Sequence, residues 1–130
     1  MTTKYQIINY DTGQALGVDG DGDSVTLQQR APEDAAQLWN VLVNAEEDDL
    51  DIVNTKTGGY LSATGSNGQL MCGAERFGWD LPEFPEISPI ATSDDRSVIG
   101  IYFNNRPQLM PNLTPDHERD NERWIFHQVL

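Results

Sequence analysis

The sequence predicts an all-β fold built from three related units of about four short strands each. Three observations carry this expectation. Trp39, Trp79 and Trp124 lie 40 and 45 residues apart, each in a short strand-like run with another apolar residue two positions later. The turn motif Asn9-x-x-Thr12-Gly13 recurs as Asn54-x-x-Thr57-Gly58, and Leu16 and Leu61 each follow their asparagine by seven residues. No long 3.6-residue apolar period appears; short alternating runs are separated by Gly, Asn, Asp and Pro.

The elements follow in order. Tyr5–Asn9 alternates as a strand, Asp11-Thr12-Gly13 turns it, and Ala15–Val18 closes a hairpin, since Gly13 tolerates positive φ. The Gly20–Asp23 loop of breakers precedes a third strand, Val25–Gln28. Residues 31–36 are a polar loop with one short helical turn after Pro32, and Leu38–Val43 is the fourth strand. The second unit repeats the scheme with Asp51–Asn54, Tyr60–Ala63, Gln69–Cys72 and the Trp79 segment. Glu46, Glu47, Asp48, Asp49 and Asp51 form an acidic run read as a solvated turn. Between units two and three, Leu81–Pro89 holds three prolines; each lacks a ladder donor, so the segment is extended and superficial, with Phe84 and Ile87 packing back on the body. The third unit opens at Val98–Phe103, turns at Asn104–Pro107 and closes with Trp124–Val129. Three repeats of four strands are the arithmetic of a β-trefoil: one domain over 1–130, with repeats of about 5–46, 47–92 and 93–130. Trp39 and Trp124 belong in its core; Trp79, between a glycine and the proline-rich segment, is expected to be partly exposed.

Bulk properties narrow the function. A chain of 130 residues with 38% hydrophobic and 22% charged residues can bury one core. A net charge of −13 opposes binding to nucleic acid or anionic lipid, and no run is long and apolar enough for membrane insertion. A single cysteine, Cys72, excludes an internal disulfide and reads as a small buried residue. With no apolar leader after Met1, a cytoplasmic location is expected, unconventional secretion remaining open. Asn112-Leu113-Thr114 fits a glycosylation acceptor by coincidence, with Pro115 following.

Chemistry for catalysis or metal binding is sparse. Asp19-x-Asp21-x-Asp23 starts like a calcium loop, but Ser24 and Arg30 occupy the sixth and twelfth positions, where glycine and glutamate are needed. His117 has no partner histidine four residues on, and His127 points outward in the last strand. Neither a cofactor nor an enzymatic activity is expected.

Residues Tyr5 to Val41 resemble one repeat of the ricin-type trefoil family. The likeness lies in Ile8-Asn9, Thr12-Gly13, Leu16, Val18-Asp19, Val25, Leu27 and Gln37-Leu38-Trp39, the last being the family's Gln-x-Trp motif. It covers the first half of the second repeat and only the tryptophan of the third. It implies a lectin whose partners are glycans or glycoproteins, similar to small cytoplasmic fungal trefoils that include lectins and protease inhibitors. In the family an aspartate on the second strand takes sugar hydroxyls, an aromatic on the third strand stacks on the sugar, and polar residues near the motif complete the network. By that resemblance Asp19 is the aspartate, Gln37 the motif glutamine and Gln28 holds the place of the aromatic; Ala36 replaces the preceding asparagine. Ala63 stands where the second aspartate would fall, and Pro111 or a neighbour where the third would. No repeat keeps the whole pocket, so a site departing from the family pattern is expected. The candidate carbohydrate-binding residues are Asp19, Asp21, Gln28 and Gln37, with a second group at Phe77, Trp79 and the proline-rich segment. The alternative is a protease inhibitor acting through a rigid loop, either one bearing Lys56, Arg76, Arg96 or Arg106 or a glycine-rich wedge at Gly20–Gly22 or Gly65–Gly68.

Overall fold

The computed structural model describes residues 3–64, 68–102, 106–111 and 122–129. Its strands, in chain order, are β1 (Lys4–Asn9), β2 (Ala15–Val18), β3 (Val25–Gln28), β4 (Trp39–Asn44), β5 (Asp49–Asn54), β6 (Tyr60–Ser62), β7 (Met71–Gly73), β8 (Trp79–Asp80), β9 (Ala91–Thr92), β10 (Ser97–Tyr102), β11 (Arg106–Pro111) and β12 (Trp124–Val129). A 3-10 turn, Ala35–Gln37, precedes β4 and is capped by the Asp34 carboxylate on the Ala36 N–H. His117, Asn104, Asn105, the glycosylation-like triplet and Gly65 lie outside the described residues.

All pairings are antiparallel. A barrel wall runs β12–β1–β4–β5–β8–β9, and Ser88 just ahead of β9 bridges to Trp124 in β12 to close the ring. The hairpins β2–β3, β6–β7 and β10–β11 stand off this wall. They meet one another through Ser24 with Met71 and Gln69 with Gln108. This is the β-trefoil.

Pseudo-threefold symmetry is visible in single bonds. Each indole donates to a backbone carbonyl in the second strand of its own unit: Trp39 to Leu16 at 3.0 Å, Trp79 to Leu61 at 2.9 Å and Trp124 to Ile99 at 3.0 Å. All three tryptophans are fully buried, together with Ile7, Ile52 and Ile90. Sharing the indole N–H with a carbonyl lets a large apolar ring enter the core without stranding its donor. Trp79 is therefore a core residue, against the expectation of partial exposure: the prolines beyond it lie outside the ladder, and Phe77 covers it at a ring separation of 4.7 Å.

The repeated turn motif has a direct cause. The Asn9 side-chain carbonyl accepts the N–H groups of Asp11 and Thr12, and that of Asn54 accepts those of Lys56 and Thr57. Gly13 and Gly58, at φ of 73° and 74°, complete each turn. The third unit does the same job with other residues. Asp94 accepts from the Arg96 N–H and the Thr92 hydroxyl, and Asp95 takes the positive φ. Its opening strand is therefore β9 and its first turn lies at Thr92–Ser97. The strand expected to open it at Val98 is instead the second strand of that unit, pairing with β9 at Val98–Ala91 as Ala15 pairs with Ile8. The opening strand of the third unit, Ala91–Thr92, thus lies just before residue 93.

Two further readings change. Only residues 45–48 of the acidic run form a turn; Asp49 and Asp51 lie in β5, where both bind Arg76. Phe84 of the proline-rich segment does pack back, edge-on against Tyr5 and Phe126 at 5.3 and 5.2 Å. His127 is exposed, and Cys72 is buried beside the Thr57 hydroxyl, burial pushing its thiol pKa up.

Candidate carbohydrate site on the first repeat

The first repeat carries a continuous polar relay. Asp19 directly follows β2, and its Oδ1 accepts from the Thr26 hydroxyl at 2.7 Å and from Gln28 Nε2 at 3.3 Å. Thr26 and Gln28 share one face of β3 because strand side chains alternate. Gln28 Oε1 in turn accepts from Gln37 Nε2 at 3.1 Å. Gln37 is buried, and its amide is fully engaged: Nε2 also donates to the Gln29 carbonyl, while Oε1 accepts from the Ala31 N–H at 2.8 Å and Gln6 Nε2 at 3.3 Å. Gln6, also fully buried, accepts both Nε and Nη2 of Arg30 on its Oε1.

Local backbone chemistry holds the relay in place. Gly17 lies under Gln28; a Cβ there would collide with the Gln28 amide. Asp34 caps the 3-10 turn that delivers Gln37 inward. The pairing of Tyr5 with Trp39 brings Gln6 alongside Gln37, 31 residues away in sequence. The relay thus links an exposed carboxylate at one end to exposed Arg30 at the other through the half-buried Gln28 amide and the buried amides of Gln37 and Gln6.

Of the predicted site residues, the fold brings Asp19, Gln28 and Gln37 together. Gln37 acts as a buried support for Gln28 rather than as a contact. Asp21 does not join them. Its Oδ1 accepts the N–H groups of Asp23 and Ser24 and its Oδ2 the Ser24 hydroxyl, so it organises its own loop. These bonds, the Ser24 N–H foremost, hold its carboxyl below the usual range. Phe77 and Trp79 form no platform: Trp79 is in the core and Phe77 packs half-buried upon it. Thr26, Gln6 and Arg30 were not singled out from sequence. Thr26 could have been, since it alternates with Gln28; Gln6 and Arg30 needed the strand pairing.

The other repeats lack the relay. Taking the Trp-bonded residues Leu16, Leu61 and Ile99 as equivalent, the places of Asp19 are Thr64 and Tyr102, one residue beyond Ala63 and well before Pro111. The places of Gln28 are Gly73 and Met110, and those of Gln37 are Phe77 and Glu122. In the second repeat Arg76, which also sits where an inhibitory loop arginine was considered, binds the largely buried Asp49 and Asp51. In the third, Met110 and Glu122 lie over Gly100. Among the described residues no cluster of three or more His, Cys, Asp or Glu side chains could hold a metal ion.

A three-repeat barrel with a hydroxyl-accepting carboxylate set over a rigid polar floor defines a trefoil binding module. The family model described as ricin-type beta-trefoil lectin domain-like matches residues 1–72, and the chain belongs to that family. Solved structures similar to it over nearly their whole length include the Macrolepiota procera ricin B-like lectin in complex with lactose (15% identity, 95% of this chain and 94% of that one, TM-score 0.79). The Rhizoctonia solani agglutinin is similar at 15% identity over 98% and 96%, with a TM-score of 0.82. SeviL bound to asialo-GM1 saccharide is similar at 15% identity over 100% of both chains, with a TM-score of 0.74. No curated protein matches the chain by sequence.

Proposed function

We infer that this protein is a carbohydrate-binding lectin with one site per chain, on the first repeat. Asp19 is the observation that carries the reading. Its carboxylate is exposed and oriented through Oδ1 by Thr26 and Gln28, which leaves Oδ2, without a protein partner among the described residues, to accept sugar hydroxyls. A fixed anionic acceptor binds hydroxyls more strongly and with better geometry than a mobile one. Family membership and the sugar complexes of similar lectins support glycans as the partner class. The site departs from the family pattern in replacing a stacking ring by the Gln28 amide, so selectivity rests on hydrogen bonds. No observation favours the protease-inhibitor alternative.

A glycan array, run beside trypsin-like and papain-like proteases, tests the reading, with Asp19→Asn as the control. The expected result is glycan binding that Asp19→Asn weakens at least about tenfold, since a charge-assisted acceptor is lost, with the melting temperature unchanged. Silence on the array with tight protease inhibition would refute it.

A further inference from the structure

We propose that the glycan recognised at this site is anionic, carrying a carboxylate or sulfate that seats on Arg30 while its neighbouring neutral sugar is held at Asp19. The inference rests on the first-repeat site of the preceding section and names its ligand class.

Arg30 is exposed, yet two of its donors, Nε and Nη2, are tied to Oε1 of the fully buried Gln6. That acceptor is neutral. Arg76, by contrast, is neutralised by Asp49 and Asp51. No carboxylate among the described residues lies within ion-pair distance of Arg30, although the chain carries 21 acidic residues and a net charge of −13. What sets Arg30 apart is its anchor: a cation with no carboxylate partner among the described residues, held by a fully buried neutral amide, is poised for an external anion. Its anchoring lowers the side-chain entropy lost when a ligand binds. Its remaining N–H groups suit the planar, two-oxygen face of a carboxylate or sulfate.

The relay also fixes the ligand's direction. Asp19 repels an anionic group and accepts hydroxyls; Arg30 does the reverse. Gln28, Gln37 and Gln6 join the two ends through side-chain hydrogen bonds, so both are held by one network. A monosaccharide would use one end; a short acidic oligosaccharide would use both.

The test is an array carrying neutral chains beside their sialylated, uronic-acid-bearing and sulfated counterparts. Titration calorimetry of the best matched pair follows on the wild type, Arg30→Gln, Arg30→Lys and Asp19→Asn, with melting curves for each. The expected result is a preference of about three- to fivefold for the anionic member, the size of one exposed ion pair. Arg30→Gln should abolish the preference, and Arg30→Lys should retain part of it. The carboxylated and sulfated arms tell which anion is taken. Equal binding of neutral and anionic partners, or a preference that survives Arg30→Gln, overturns the proposal. If Asp19→Asn still abolishes binding in that case, the lectin site stands and only the ligand class falls. Binding indifferent to Asp19→Asn removes both.

Discussion

Replacing Gln37 by alanine should separate the support of the site from its surface. The side chain makes hydrogen bonds to the Ala31 N–H, Gln6 Nε2, Gln28 Oε1 and the Gln29 carbonyl. Gln28 and Gln29 lie close enough to solvent for water to replace their lost partner. Gln6 is fully buried, and the Ala31 N–H loses its acceptor in Gln37 Oε1, so two donors lose their partner. At about 1–1.5 kcal/mol each, with a further 0.8 kcal/mol or so for lost methylene burial, the substitution should cost roughly 3–4 kcal/mol. For a domain of this size that is a drop of about 10–14 °C in melting temperature, followed by circular dichroism and checked by urea titration. Glycan affinity should fall at least about tenfold, because Gln28 and through it Asp19 lose their fixed orientation. A melting temperature within about 3 °C of the wild type would refute the view that this amide holds the site together.

Gly17→Ala should force the Gln28 amide aside while changing stability by less than about 1 kcal/mol, since the colliding atoms end a flexible side chain; calorimetry should show weakened glycan binding at a near-normal melting temperature. Trp79→Phe should lower stability by about 1–3 kcal/mol through loss of the indole bond to Leu61 and of buried volume, with glycan affinity unchanged, as read by paired melting and titration experiments. Asp80 has a carboxyl pKa raised by burial, then by its hydrogen bond to Asp95 and the charges of Asp95 and Asp48. A folded-state pKa above the unfolded one means stability is fully present below the unfolded pKa and is lost as pH rises through the folded pKa. Asp80→Asn should therefore raise the melting temperature at neutral pH and lose that advantage in acid; an equal shift at both pH values would count against the carboxylate cluster.

The first repeat was legible almost residue by residue, because its turns use asparagine and glycine whose chemistry is local. The 3-10 turn after Pro32 and the inward packing of Phe84 were also readable from composition and apolar placement. The third repeat was not. Thr92, Asp94 and Asp95 build its first turn without the Asn-x-x-Thr-Gly signature, so a sequence search for that signature slid to the next strand. Asp49 and Asp51 looked like solvent charge because Arg76, their partner, lies 25 or more residues away.

The trefoil was already written in the sequence: three tryptophans in register, two copies of one turn motif, and short alternating strands in three sets of four. What only the tertiary structure decided is how those equivalent positions differ. At the place of Gln37 stand Phe77 and Glu122, and at that of Asp19 stand Thr64 and Tyr102. Whether such a residue meets a partner depends on neighbours brought in by distant strand pairing, as Gln6 is brought to Gln37 by Tyr5 and Trp39. Periodicity is a property of the chain and specifies the scaffold; a binding surface is a property of contacts between segments, and it exists only once the barrel has closed.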